Sequence, residues 1–189
     1  MNKILTGLLL ACALAASAGA VEYNAVQTDK SRIDFVFRQM NVPVDGRFKK
    51  FTSTLAFDPA RPEAAKVGLT IELASIDTGS KEADDEAIGK QWFNVKAFPT
   101  ASFVSSRVRS LSKDRYEVGG TLTIKGKSRE IVTPVSVKTD ASGAVFEGGF
   151  NLKRADYGIG EGPWADFDTV GNEIQIKFRV VAASTTPRK

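Results

Sequence analysis

The residue types that most often carry out catalysis are scarce in this chain. It contains no histidine, and its single cysteine is Cys12. Without histidine, Ser-His and Cys-His nucleophile pairs and most zinc or iron sites are excluded. Any catalytic chemistry would therefore have to use carboxylates or lysine.

One pair of carboxylates is spaced for shared chemistry. Asp166 and Asp168 follow Trp164, and residues two apart in an extended segment project to the same side. Such a pair suits a glycosidase or a calcium loop, but the surrounding segment lacks the dense oxygen ligands of a calcium loop. Aspartates in loops commonly form Asx turns. The sequence favours a structural loop here, and an enzyme that uses both carboxylates is kept as a hypothesis.

Two other segments resemble anion-binding motifs. Gly158, Gly160 and Gly162 alternate as in a phosphate loop, but the lysine, the hydroxyl residue and the helix of that motif do not follow, which favours a flexible connection. The basic stretch 125–129 is typical of a solvated hairpin turn. Basic and acidic residues are interspersed, with 26 Lys and Arg against 22 Asp and Glu, so we expect no nucleic-acid partner.

The elements that must position any site have the pattern of β-strands. Between residues 67 and 73 large aliphatic side chains alternate with small or polar ones, and 174–180 repeats this pattern. Strand side chains point alternately to two faces, so each segment has one apolar face. Eight or nine such segments, separated by turn residues, predict an all-β protein whose antiparallel strands form one barrel or two packed sheets.

The apolar rows of these strands define an expected interior. Core packing is the ordinary explanation of such rows, but a barrel of about eight strands is just wide enough to hold one small ligand instead. Small residues on the inward rows, Gly120, Gly148 and Ser53, would leave room for it. The pattern leaves both outcomes open. The inward set is Ile33, Phe35, Phe37, Leu69, Ile71, Leu73, Leu122, Ile124, Phe146, Phe150, Ile174, Ile176 and Phe178.

One segment breaks the strand pattern. Residues from Ser80 to about Gln91 are helix formers, with Ser80 or Thr78 available as the N-cap. The apolar side of this helix is thin, and a helix of about three turns is marginal on its own in water. We therefore predict that it closes one mouth of the barrel, with Ile88 and Trp92 towards the interior.

The N-terminal segment has the pattern of a secretory signal. Lys3 precedes an apolar run that ends in an Ala-x-Ala cleavage site at Ala20. Cleavage there leaves 21–183 as a single domain with a frayed tail at 184–189. Because no later segment reaches the roughly 20 apolar residues of a membrane span, we expect a soluble periplasmic protein. Acylation of Cys12 as a lipoprotein is the alternative.

Several motifs, in order along the chain, resemble the YceI family of exported bacterial lipid-binding proteins. The motifs cover nearly all of residues 23–182 and read SRIDFVFRQ, DGRFKKFTSTLAFDP, ASIDTGS, WFNVKAFPTASFVSS, YEVGGTLTIKGKSREIVTPV, and FNLKRADYGIG with VGNEIQIKFRVVA. The resemblance implies a lipocalin-like extended antiparallel β-barrel around an apolar tunnel for a polyisoprenoid, an isoprenoid quinone or a fatty chain. It implies no catalytic residues. One departure is that many members carry Asp-x-His-Leu in the helix, where this chain reads DDEAIGKQ.

These observations lead to one functional expectation and one alternative. Each CH₂ group removed from water contributes about 0.8 kcal/mol, so a long isoprenoid needs a soluble container. We predict a non-enzymatic protein that binds, carries or stores such a lipid, polyprenyl or ubiquinone-like, needs no metal or other cofactor, and contacts membranes transiently. Its tunnel lining adds Ile88, Trp92 and Phe103 to the inward set. The alternative is a fully packed barrel that binds a protein partner through an exposed edge or the Trp164 loop.

Overall fold

The computed structural model describes residues 21–140 and 143–185. Eleven β-strands and one α-helix form this part of the chain, and short 3₁₀ turns join several of them. The helix, α1 (Lys81–Ala87), lies between β6 and β7 in the sequence. The strands are β1 (Tyr23–Val26), β2 (Arg32–Gln39), β3 (Val42–Phe48), β4 (Phe51–Ala56), β5 (Lys66–Glu72), β6 (Ile76–Asp77), β7 (Thr100–Ser112), β8 (Arg115–Ile124), β9 (Lys127–Asp140), β10 (Gly143–Lys153) and β11 (Glu173–Ser184).

All eleven strands belong to one antiparallel sheet that curls around an apolar interior. The strand order is β4-β5-β7-β8-β9-β10-β11-β2-β3-β6, and β1 pairs with β11 off this path. Strand β4 lies at one end of this order, paired with β5, and β6 lies at the other end, paired with β3. Because β3 is followed directly by β4 in the sequence, and β5 by β6, the two ends of the order lie close together. A bridge between Tyr23 and Phe57 links β1 to the residue after β4. The predicted lipocalin-like antiparallel barrel with a short capping helix is confirmed.

The strand count exceeds the predicted eight or so because several strands are short or irregular. Strand β6 has only two residues, and β3 contains Pro43 and Gly46, which interrupt the alternation. The long strands fit the pattern better. Strand β9 has 14 residues and spans about 46 Å. This is longer than the strands of most globular proteins, so the barrel is deep along its axis.

A β-bulge in β7 changes which residues face inward. The pairing of β7 with β8 shifts register between Ser105 and Arg107. The inward row therefore passes from the odd position Phe103 to the even position Val108, and both residues pack on the interior. This is why the alternation of 102–108 is weak in the sequence.

One end of the barrel is closed by a solid apolar plug, which we call the floor. It is built on three rings, with Phe57 lying edge-to-face against Tyr116 at 5.1 Å and against Phe146 at 5.2 Å. Tyr23 and Val137 are buried in the same cluster. The opposite end carries α1 and the connections 88–99 and 154–172, which together form the cap.

The helix is shorter than predicted. It spans Lys81–Ala87, with Ser80 as the N-cap whose Oγ accepts a hydrogen bond from the N–H of Ala83 at 3.3 Å. It ends before Gly89, a poor helix former, and Trp92 lies on the turns that follow. Within the described residues, no helix is both long and apolar enough to span a membrane.

The structure describes part of the C-terminal segment but none of the predicted N-terminal signal. The predicted signal, residues 1–20, lies outside the described residues. Of the tail predicted to fray from residue 184, two residues are described and ordered: Ser184 is the last residue of β11, and the Thr185 hydroxyl donates to Asn24 Oδ1 at 2.9 Å. Residues 186–189 lie outside the described residues. Pairing with β1 therefore holds the strand to its end.

Candidate functional site

Between the floor and the cap lies a cavity of about 620 Å³. This volume is within the range of about 300–1,000 Å³ that is typical of small-molecule sites. Its walls are predominantly aliphatic and aromatic side chains from the inward rows of the barrel. The predicted tunnel residues that line it are Ile33, Phe35, Phe37, Leu69, Ile71, Leu73, Trp92, Phe103, Leu122, Ile124, Phe146, Phe150, Ile174, Ile176 and Phe178.

Ile88 is the exception among the predicted lining residues. It follows the last helical residue and lies in a small polar cleft with Lys49, Asp77 and Lys81, on the other side of α1. Successive residues on a helix diverge by about 100°, and Ala83 and Ala87, four apart, already occupy the side that faces the cavity. Its predicted orientation is wrong for this reason.

Sequence reasoning missed part of the wall. The lining also includes Val67 and Val180, at the ends of the two clearly alternating segments, and side chains from segments with weaker alternation, namely Phe48, Leu55, Ile131, Thr133, Val135 and Leu152. All of them face the same side of the sheet as a predicted inward residue on the same strand or on the strand paired with it. Extending each predicted row by two residues in both directions would have found half of them, and the rest lie on β3 and β9, where no row was predicted.

The space beside the inward glycines is occupied by aromatic rings of the protein. A Cβ at Gly148 would stand 2.5 Å from Phe178 Cζ and 2.6 Å from the Pro134 carbonyl oxygen, and one at Gly120 would stand 2.7 Å from Phe103 Cζ. The room predicted at these positions is thus occupied by phenylalanine rings. Ser53, in contrast, lines the cavity itself.

The cavity reaches solvent beside α1. Of the described residues that line it, the exposed ones are Gln39 at the end of β2 and Ser80, Glu82 and Glu86 on or next to the helix. We call the opening between them the mouth. The geometry agrees with the prediction that the helix lies at one mouth of the barrel. Charged as well as apolar residues of the helix face this mouth.

The mouth is acidic and carries two tryptophans. A hydrogen bond from its own backbone N–H, followed by one from the Ser80 hydroxyl, holds the pKa of Glu82 below its usual value, so it is ionised at neutral pH. Trp164 Nε1 donates to Glu86 Oε1 at 2.9 Å, and the Trp164 and Trp92 rings lie 5.4 Å apart. Trp164 is half-buried in this arrangement rather than exposed as the interaction-module alternative requires.

A buried arginine that sequence reasoning missed organises the cap. Arg154 is 1% exposed, lines the cavity, and its guanidinium lies 5.3 Å from the centre of the Trp92 ring. Its N–H groups donate to six backbone carbonyls at 2.7–3.2 Å; the carbonyls belong to Ile159, Gly160, Trp164, Asp166, Val170 and Gly171. Burial lowers the pKa of Arg154, but arginine stays protonated in proteins.

The glycine-rich segment is therefore not the flexible connection that its composition favours. Gly158 and Gly160 are buried against Arg154 and the hairpin of β8 and β9. Lys125, at that hairpin, donates to the Gly158 carbonyl at 2.6 Å and pairs with Glu161 at 3.0 Å. Its side chain is 9% exposed, so it fastens the cap instead of standing in solvent as predicted. The sequence signal for this arrangement was Arg154, which lies two residues after the inward-facing Leu152 and therefore on the inward side of the strand.

Of the two candidate catalytic carboxylates, that of Asp166 is engaged in backbone structure. Asp166 Oδ1 accepts the N–H of Asp168 at 2.7 Å, which is the geometry of an Asx turn. The Asp166 carbonyl is one of the six acceptors around Arg154. Neither residue lines the cavity. The loop interpretation thus accounts for this pair.

The fold and site define a lipocalin-like β-barrel with a floor, an apolar cavity and a polar mouth. The chain belongs to the YceI-like domain family, whose model matches residues 24–182. A UPF0312 protein of Azotobacter vinelandii is 31% identical over 169 residues, covering 84% of this chain and 88% of that protein. A UPF0312 protein of Yersinia pestis is 32% identical and covers 95% and 96% of the two chains.

Solved structures have the same architecture. The crystal structure of Burkholderia cenocepacia BcnA matches with a TM-score of 0.81 and 41% identity, over 84% of this chain and 99% of that one. A polyisoprenoid-binding domain from Saccharophagus degradans matches with a TM-score of 0.68 over 87% and 99% of the chains. At 17% identity, the second likeness concerns the fold alone.

Proposed function

We propose that this protein binds, carries or stores a long-chain isoprenoid lipid inside the barrel, without catalysing a reaction on it. The observation that carries the proposal is the apolar cavity of about 620 Å³ between the floor and the mouth. Apolar walls that stand this far apart make few contacts with one another, so a hydrocarbon ligand between them gains packing contacts with every wall. A flexible hydrocarbon chain fits a deep cavity that has a polar opening at one end.

The cavity also weighs against the alternative of a protein-interaction module. That alternative needs a barrel filled by its own side chains, whereas this interior has space for a ligand. The fold is shared with a polyisoprenoid-binding domain from Saccharophagus degradans, and this likeness supports the choice of tail chemistry.

Affinity should rise with the length of the isoprenoid tail. Protein freed of lipid by denaturation and refolding is titrated with benzoquinones that carry two, three or four isoprene units, and calorimetry gives the dissociation constants. Since an isoprene unit adds five carbons and each buried carbon contributes about 0.8 kcal/mol, every added unit should tighten binding by about a hundredfold or more until the cavity is full. A benzoquinone without a tail is the control and should not bind. Affinity that is independent of tail length would contradict an apolar binding cavity.

The rim of the mouth supports the proposed transient contact with membranes. Met40 and Val42, at the turn between β2 and β3, are 74% and 61% exposed, and Phe167 of the cap is 46% exposed. The Met40 N–H donates to the Thr169 carbonyl at 2.9 Å, so the turn and the cap form one apolar edge. Met40 has a φ of 49°, a conformation that favours Asn or Gly in such turns. The backbone conformation therefore does not explain why a methionine occupies this position.

Making this rim polar should slow lipid transfer without weakening binding. The double variant Met40→Asn and Val42→Thr keeps the turn geometry while removing two exposed apolar groups. The rate at which a bound isoprenoid quinone moves to phosphatidylcholine vesicles should fall about tenfold, since the lost insertion energy is on the order of 1.5 kcal/mol. Leu111, 53% exposed on the long strand β7, provides the control variant Leu111→Thr. Equal transfer rates for both variants would refute membrane contact at the rim.

Export to the periplasm completes the proposal. A carrier for a water-insoluble tail is useful where lipid must cross an aqueous compartment, and the N-terminal pattern predicts a signal cleaved after Ala20. The intact mass of the exported protein distinguishes a chain that begins at Val21 from one acylated on Cys12.

A further inference from the structure

The floor closes the end of the cavity that lies opposite the mouth. Phe57, Tyr116 and Phe146 line the cavity at this end, whereas Tyr23 and Ala182, buried in the same apolar cluster, do not line it. Among the described lining residues, the exposed ones lie at the mouth and none lies at the floor. Within the described part of the chain, a tail that enters by the mouth therefore meets aromatic rings at the far end.

Phe57 is the central ring of the floor. It contacts both of the other rings edge-to-face, with an angle of 89° between the ring planes in each pair. Aromatic pairs favour this geometry, and Phe57 is only 3% exposed. The ring thus separates the cavity from the buried cluster behind it.

The backbone holds Phe57 at a fixed depth in the barrel. Its N–H donates to the Tyr23 carbonyl at 3.1 Å, and its carbonyl accepts the Tyr23 N–H at 2.8 Å. In the turn that follows, Asp58 accepts the N–H of Ala60 at 2.9 Å and pairs with Arg61 at 3.0 Å. The floor cannot recede to admit a longer tail without breaking these bonds.

The strands set the distance between the mouth and this fixed floor. On β11 the lining runs from Ile174 to Val180 at alternate positions, which corresponds to about 20 Å of strand. A tail that is longer than the cavity must leave its excess carbons in water at the mouth. Every carbon left outside forfeits a gain in affinity of about fourfold.

We infer that the barrel selects its ligand by the length of the tail, and that Phe57 sets the longest tail that it accepts. This inference rests on the proposed function, since a tail must enter the cavity before the floor can limit it. It assigns a specificity-determining residue at the end of the cavity that is farthest from the mouth. The limit applies to tails of the same chemistry whatever head group they carry.

A competition between the protein and a membrane measures the limit. Phosphatidylcholine vesicles are loaded with an equimolar mixture of benzoquinones that carry two to ten isoprene units, and lipid-free protein is incubated with them and then separated. In the vesicle every tail is already out of water, so a unit that fits the cavity changes the partition little, whereas a unit that protrudes becomes exposed. Mass spectrometry of the bound lipid should show occupancy that falls by about a hundredfold or more for each unit beyond the longest tail that fits.

Two substitutions of Phe57 should shift this exclusion in proportion to the carbons that they remove. Phe57→Ala removes six carbons, slightly more than the five of an isoprene unit, and the surrounding structure collapses only in part around such a space. The longest accepted tail should therefore gain one unit. Phe57→Leu removes three carbons, so the first unit beyond the limit should be excluded about tenfold less strongly. Because Phe57→Leu keeps an apolar side chain in the floor, it provides the test if the alanine variant does not fold.

Phe98→Ala is the matched control for the lost ring. Phe98 is also partly buried, and its ring lies beside Gly126 in the hairpin of β8 and β9, where a Cβ would stand 3.0 Å from Phe98 Cε1. It does not line the cavity. This variant should keep the length limit of the unmodified protein.

The possible outcomes separate this inference from the proposed function. A bound mixture with the composition of the vesicles would overturn the inference, because the unmodified protein would then have no length limit. An exclusion pattern that is identical in the unmodified protein and the folded Phe57 variants, or that shifts equally in Phe98→Ala, would overturn the assignment to Phe57. Both results leave lipid binding intact. Protein that takes up no quinone of any length would overturn the proposed function as well.

Discussion

Replacing Arg154 by methionine should destabilise the protein more than any other single change in the cap. The variant Arg154→Met keeps much of the side-chain length but leaves six backbone carbonyls without their donor. Each buried acceptor left unsatisfied costs about 1–3 kcal/mol, and water can reach some of them, so we expect the free energy of unfolding to fall by about 4 kcal/mol or more. Denaturant unfolding followed by tryptophan fluorescence measures this difference.

Two comparisons isolate the role of the guanidinium. Arg154→Lys should rescue little, because an ammonium has three donors and cannot match a planar fork that serves six carbonyls. Arg129→Met is the matched control: that side chain is 53% exposed and stands 4.0 Å from Asp156, so its loss should change stability by about 0.5 kcal/mol or less. An Arg154→Met protein as stable as the Arg129→Met protein would show that Arg154 does not hold the cap.

Filling the cavity should abolish lipid binding while leaving the barrel folded. Ser53 lines the cavity on β4 and is paired with Leu69 of β5, four residues before the floor residue Phe57. In Ser53→Trp the indole extends into space that the protein does not fill, and the tail is excluded from the part of the cavity beyond it. Excluding roughly four carbons, at about 0.8 kcal/mol each, lowers the affinity at least about a hundredfold. Titration with a four-unit isoprenoid quinone measures this loss.

The adjacent residue provides the control for that variant. Thr52 is exposed on the outer face of the same strand, so Thr52→Trp adds the same side chain outside the barrel. It should bind the quinone as the unmodified protein does. Similar affinities for Ser53→Trp and the unmodified protein, with both folded, would mean that the ligand does not enter the cavity.

The barrel and most of its lining follow from strand alternation, because pleated geometry fixes which face each side chain takes. Position 174–180 on β11 illustrates this: Ile174, Ile176 and Phe178 all line the cavity. The alternation failed where the backbone departs from regular pairing. The bulge after Ser105 moves the inward row by one residue, and no side-chain pattern announces it before the pairing is known.

The cap was less predictable than the barrel because its structure depends on contacts distant in sequence. Arg154 continues the inward parity of Leu152, yet a charged residue is ordinarily assigned to the solvent side. Its environment comes from carbonyls up to 17 residues away, at Gly171. The pairing of Trp164 with Glu86, 78 residues apart, likewise has no local signal. The polar mouth of the cavity was therefore visible only once the connections 88–99 and 154–172 were in place.

Native mass spectrometry of the protein, purified from its producing cells without organic solvent or detergent, shows whether the barrel holds a lipid. We expect a noncovalent adduct with the mass of an isoprenoid lipid on the unmodified protein and on Thr52→Trp, and its loss in Ser53→Trp. An adduct that persists in a folded Ser53→Trp protein, or protein that emerges bare and takes up no isoprenoid afterwards, would contradict it.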